Sequence, residues 1–104
     1  MKFRDEIPTP ALLLDLDAFE ANIATMTGYL RARGRGFRPH GKTHKCPAIA
    51  RILVDAGAVG ICAARLSEAE VFADHQIPGL LITTAVIGKA KIARAIDLAA
   101  RATR

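Results

Sequence analysis

Apolar residues in this chain fall into two rhythms. Short uninterrupted runs, such as "AVGICAA" and "LLITTAV", have the length and composition of strands buried on both faces. Between such runs the apolar residues recur at three- and four-residue steps, which is one stripe of a helix. Phe19, Ile23, Met26 and Leu30 form the first stripe, after the run "ALLLDL". Asp17 is its predicted N-cap, with Glu20 in capping-box position, and Gly34 and Gly36 end it. "CPAIARILVDAG" reads as a second helix, with Pro47 in its first turn and Gly57 at its C-terminal end. Ser67 and Glu70 make a capping box for a third helix, and Pro78-Gly79 breaks it. A fourth, in "GKAKIARAIDLAARAT", carries Ile92, Ile96 and Ala99 or Ala100 on one face. Strands are predicted at about 11–16, 36–41, 58–64 and 80–86.

The spacing of these elements sets the architecture. Phe37, Ala58 and Gly79 open successive strands, and each step is 21 residues. A strand and a return helix recurring at fixed length signal parallel β/α units. The fold class is therefore α/β, and a set of three such units is expected to be the N-terminal part of a (β/α)8 TIM-type barrel. A closed barrel takes roughly 250 residues, so residues 1–104 are expected to form its N-terminal portion. Open parallel edges would otherwise need another cover.

Composition narrows the classes. With 51% hydrophobic and 24% charged residues, the chain is globular rather than disordered. Aromatics are only 5%, so the core must be aliphatic. No stretch reaches the ~20 apolar residues of a membrane span, and the start shows no signal peptide. Two cysteines, Cys46 and Cys62, make no disulfide framework, and the expected compartment is the cytoplasm. The net charge is +5, partly from Lys91, Arg94, Arg101 and Arg104 near the end. No aromatics interleave with the basic residues and no nucleic-acid-binding spacing occurs, so no nucleic-acid partner is expected.

Candidate chemistry concentrates in "RPHGKTHKCP", residues 38–47. It follows a predicted parallel strand, at the edge where such sheets bind ligands. Arg38, His40 and Lys42 share one face of an extended strand. Positive neighbours and desolvation favour the neutral, nucleophilic amine of a lysine there. A solvated basic loop is the plain alternative. A zinc reading from His40, His44 and Cys46 has the right residue types but matches no structural zinc spacing. Neither phosphate-loop glycine pattern occurs.

"TPALLLDLDAFEANIATM", "RPHGKTHKCPAIA", "GAVGICAARLSEAEVFADHQIPGLLIT" and "GKAKIARA" together resemble the start of a D-threonine aldolase or D-serine dehydratase-like enzyme. This is the fold-type III group of pyridoxal-phosphate enzymes, related to the alanine racemase N-terminal domain. The resemblance implies that Lys42 forms the Schiff base with pyridoxal 5'-phosphate. His40 and His44 match the same string as cofactor-facing residues, and Lys45 is the second lysine. It also implies a lyase acting on small D-β-hydroxy-amino acids, by retro-aldol cleavage to glycine and an aldehyde or by elimination. The alternatives are a non-catalytic cofactor-binding or partial-barrel domain, or an amino-acid racemase. A divalent metal, manganese or zinc, is expected with ligands outside this chain, and a homodimer is compatible with the resemblance. The 104 residues alone are expected to be inactive. One departure stands out: relatives often carry Asn-Glu after the third strand, where this chain has Thr84 and Ala85.

Overall fold

The structure, a computed structural model, describes residues 4–102. Arg104, counted above with the basic residues, lies outside them. After a 3-10 turn at Arg4–Glu6, four helices follow: α1 (Leu16–Arg31), α2 (Pro47–Asp55), α3 (Leu66–Asp74) and α4 (Lys89–Arg101). Two short strands, β1 (Cys62–Ala63) and β2 (Leu81–Ile82), pair in parallel, with Cys62 opposite Leu81. A parallel bridge between His40 and Cys62 adds a third extended segment on the other side of β1. The neighbouring order follows the sequence, as successive β/α units require. None of the described helices is long and apolar enough to cross a membrane.

The strands are shorter than expected, for local reasons. Pro39 has no N–H to donate, and the ladder from the first segment to β1 includes the bonds from Val59 N–H to Phe37 C=O and from Cys62 N–H to Pro39 C=O, both 2.8 Å. The run at about 11–16 is not a strand. Residues 11–15 have no strand partner among the described residues, and Leu16 already belongs to α1. The N-cap is Asp15 rather than Asp17: its carboxylate accepts from Ala18 N–H at 3.0 Å. The capping box of α3 moves in the same way. Helix α3 starts at Leu66, and Glu68, not Glu70, accepts the N–H groups of Ala64 and Arg65 at 3.0 and 3.2 Å.

The helix ends repeat one device. The N–H groups of Arg35, Ala58 and Ile77 bond back five residues, to the carbonyls of Leu30, Leu53 and Phe72, at 3.0 Å each. The residue before each turns left-handed at Gly34 (φ 64°) or Gln76 (φ 57°), or has φ 108° at Gly57. Each such end delivers the chain to the next extended segment. Helices α2 and α3 both run nine residues, yet the paired registers differ. His40 and Cys62 are 22 positions apart, Cys62 and Leu81 only 19. The distance from helix end to strand is the same in both units. The surplus of three lies before α2, and it matches the 3-10 turn Gly41–Thr43.

The core sits between the extended segments and the helices. Ile61 and Ile77 are fully buried, and Phe72 and Leu98 pack with them. Each such side chain contributes about 1.5–3 kcal/mol. Ala50, Ala63 and Ala69 are also fully enclosed and let helix and sheet approach closely. Helix α4 does not bury the face its sequence suggests. Ile92 and Ile96 are exposed, whereas Leu98, Ala95 and Ala102 meet the core. Two ion pairs from α4 to α3, Arg94 with Glu70 and Arg101 with Asp74, fix this rotation.

Gly60 and Gly79 lie where the second and third segments converge. A Cβ on Gly60 would overlap the carbonyl oxygen of Gly79, and one on Gly79 would overlap that of Val59. Their φ angles, 155° and 61°, also disfavour a side chain. Gly60→Ala is therefore expected to cost at least about 1–3 kcal/mol from backbone strain, read as a lowered midpoint in chemical denaturation. An unchanged midpoint would show that the approach is looser than described.

Candidate active site

Alternation along the first extended segment sorts its side chains. Phe37, Pro39 and Gly41 face the helix layer. Gly41 is buried, and a Cβ there would stand 2.6 Å from the Phe72 ring and 3.0 Å from Ile61. Arg38 and His40 therefore belong to the opposite face, whereas Lys42 leaves the alternation in the 3-10 turn Gly41–Thr43. That face continues through Cys62, the bridge partner of His40, to Leu81 and Thr83. Lys42 is exposed, in the 3-10 turn that follows the bridge.

His40 ties this face together. Its Nε2 lies 3.1 Å from Thr83 Oγ1, reaching across β1 to the far segment. Its Nδ1 accepts the backbone N–H of Lys42 at 3.5 Å, and its carbonyl accepts the hydroxyl of Thr43 at 3.0 Å. With Nδ1 accepting, the ring proton sits on Nε2 and points to Thr83, whose hydroxyl donates to Ala63 C=O at 3.3 Å. The imidazole therefore grips both the turn that carries Lys42 and the third segment.

His44 and Lys45 lie elsewhere. His44 is half-buried, edge-on to Phe72, with Nδ1 accepting the N–H of Cys46 at 3.0 Å. Its Nε2 is buried without a partner. Burial lowers its pKa. Lys45 adopts φ 50° and pairs with Glu68 at 3.0 Å. The Lys45 ammonium, then the N–H groups of Arg65 and Ala64, hold the Glu68 carboxyl below its ordinary range against the opposing effect of burial. His40, His44 and Cys46 do not converge as ligands, and no metal-holding cluster occurs among the described residues. Both cysteines are free thiols.

His40, Thr43 and His44 also line a groove of about 500 Å³ beside α1, whose other wall is apolar and includes Phe19, Ile23 and Met26. A second cleft of about 260 Å³ opens at the same end of the segments, between the N-terminal turns of α3 and α4, with Arg65, Lys91 and Arg94 in its wall. Thr83 and Glu68 were not singled out from the sequence. Their signal was weak: Thr83 sits at an alternate position of "LLITTAV", and Glu68 competes with Glu70 in "SEAE".

Residues 14–103 match the family described as alanine racemase, N-terminal domain. The 3-hydroxy-D-aspartate aldolase of Paracoccus denitrificans is 46% identical over 90 residues, 86% of this chain and 23% of that protein. The D-threonine aldolase of an Arthrobacter species is 42% identical over 87 residues, 84% of this chain and 23% of its own length. Among solved structures, the D-threonine aldolase of Filomicrobium marinum superposes with a TM-score of 0.90 at 48% identity, covering 92% of this chain and 26% of the other. The D-threo-3-hydroxyaspartate dehydratase of Delftia sp. HT23 gives 0.85 at 34%, covering 92% and 25%. The chain thus spans about a quarter of the length of these relatives.

The buried ring of His44 makes stability depend on pH. Its pKa is lower folded than unfolded, so the unfolded chain binds the extra proton first. Stability is complete above the ordinary histidine value of about 6.5 and falls as pH drops from there toward the folded pKa. In His44→Asn, whose side-chain oxygen can still accept from Cys46, the fall in melting temperature between pH 7.5 and 5 should be smaller than in the parent. An equal fall in both would rule out His44 as its source.

Proposed function

Since this chain belongs to the alanine racemase N-terminal domain family, of fold-type III and barrel architecture, we propose that it forms part of a pyridoxal-phosphate-dependent lyase acting on D-β-hydroxy-amino acids. The observation that carries this reading is the exposed amine of Lys42 at the C-terminal end of a parallel segment, held from behind by His40.

These residues fit an aldehyde-bearing cofactor. A covalent hold needs an accessible primary amine, and the exposed Lys42 offers one in the turn after the bridge. When bound, pyridoxal phosphate supplies an electron sink for the bond broken at the substrate's α-carbon. Lys42 carries the attachment. Gly41, lacking a side chain, seats the turn against Phe72 and Ile61. His40 fixes the turn's start by accepting the N–H of Lys42 and donating to Thr83. His44 lines the groove beside His40, and we propose that it shapes the floor of the site rather than meeting the cofactor with a charged ring.

The names of the relatives favour small D-amino acids bearing a β-hydroxyl, either D-threonine or 3-hydroxyaspartate. One relative, the dehydratase, is also described in a metal-free form. We place the ligands of the expected divalent ion outside residues 4–102, since no suitable cluster occurs among them.

Borohydride reduction after incubation with pyridoxal phosphate, followed by peptide mapping, tests the assignment. The pyridoxyl group should appear on Lys42, vanish in Lys42→Ala and persist in Lys45→Ala. A label that survives in Lys42→Ala would overturn it. Products then separate the activities, with manganese or zinc supplied. Glycine with an aldehyde indicates an aldolase, ammonia with a 2-oxo acid a dehydratase, and appearance of the Cα-epimer alone a racemase. Labelling of Lys42 without turnover of either substrate would favour a cofactor-binding protein instead.

A further inference from the structure

We infer that Glu68 is a positioning residue for Lys42, acting through its ion pair with Lys45; this rests on the reading of Lys42 given above. The turn Gly41–Thr43 accounts for the three residues by which the first β/α unit exceeds the second, so ladder pairing does not fix it. It is held at its start by His40, through Thr83 and the Lys42 N–H. Its far end is held by Lys45, whose Nζ lies 3.0 Å from Glu68 Oε1.

Three features make Glu68 more than a helix cap. Its side chain is only 13% exposed, whereas that of Lys45 is 66% exposed, so the carboxylate is the fixed partner. Its other oxygen already satisfies the N–H groups of Ala64 and Arg65. The bond to Lys45 therefore adds nothing to capping, and it joins the loop after the first segment to the loop after β1. Phe72, one helical turn on from Glu68, packs against His44 and backs Gly41. One face of α3 thus supports the turn from both sides. Lys45 meanwhile holds a left-handed backbone (φ 50°), which costs a non-glycine residue of order 1 kcal/mol. The pair also commits the Lys45 ammonium to a carboxylate, leaving Lys42 as the uncommitted amine of the motif.

The test compares Glu68→Gln and Lys45→Met. Glu68→Gln keeps an acceptor for the two N–H groups and removes the charge. Lys45→Met breaks the same pair and leaves the cap of α3 intact. The two changes alter the local charge in opposite senses, but both free the far end of the turn. The rate of covalent attachment of pyridoxal phosphate to Lys42, followed by absorbance and by borohydride labelling, should fall about tenfold in each. The double variant should be no slower than either single one, because the two residues act as a unit. In Glu68→Gln, part of the label should move to the released Lys45. Rates that shift in opposite directions would mean simple electrostatics and overturn the inference. So would parent-like rates in both variants with all label on Lys42. If the parent itself is not labelled on Lys42, the underlying functional reading fails instead, and the two failures are told apart.

Discussion

The turn that carries Lys42 can rest on the second β/α unit only because residue 41 has no side chain. The Phe72 ring and Ile61 occupy the space a Cβ would need. That contact fixes which face of the first segment looks inward. Once Gly41 is pressed to the helix layer, alternation sends His40 the other way, and Lys42 follows, exposed, in the 3-10 turn. The bridge to Cys62 and the reach of His40 to Thr83 then follow from the same register. A bulkier residue at 41 would not simply crowd the core. It would lift the turn off Phe72 and uncouple Lys42 from the ladder that places it.

Much of this was legible in the sequence, and the failures have physical causes. The parallel β/α order was visible because apolar runs and helical stripes alternate at a near-constant step. That uniform step of 21 masks two unequal registers, 22 and 19. The uniformity hid the insertion, which is where Lys42 sits. Each misplaced cap was off by two residues because two acidic residues compete in each case, Asp15 with Asp17 and Glu68 with Glu70. Capping rules recognise residue type, and only the surrounding packing decides which one serves. On α4 the shared face of the stripe is not the face that meets the core. Its stripe of Ile92 and Ile96 is genuine, but Glu70 and Asp74 on α3 draw Arg94 and Arg101 over and turn Leu98 to the core. His40 and His44 looked equivalent in the motif. They differ because one precedes the turn, on the open face, and the other follows it, against Phe72.

The basic balance of the chain also resolves into structural uses. Arg94 and Arg101 clamp α4 to α3, and Arg51 donates to the carbonyls of His75 and Gln76, closing the end of α3 from α2. Such exposed pairs contribute ~1 kcal/mol or less each. Their effect is to tie neighbouring helices at defined points. Lys45 with Glu68 belongs to the same class by energy but not by place, since it lies at the rim and one end of it is shielded.

The face that bears His40 and Cys62 is also one that no helix among the described residues covers. Leu81 is 46% exposed there, and Thr83 beside it is exposed too. Parallel sheets are covered on both sides, because their strands gain stability from burial on each. In the barrel architecture of this family the second cover is the sheet itself, curled until the face becomes an interior. Low on that face the residues are suited to packing, as Leu81 is. Toward the C-terminal ends they become polar, with His40 and Thr83. The change from apolar to polar along a single face is what a barrel needs, a packed floor below and a wet, reactive mouth above. The same curvature would bring the turn Gly41–Thr43, with Lys42 exposed on it, to the rim of that mouth.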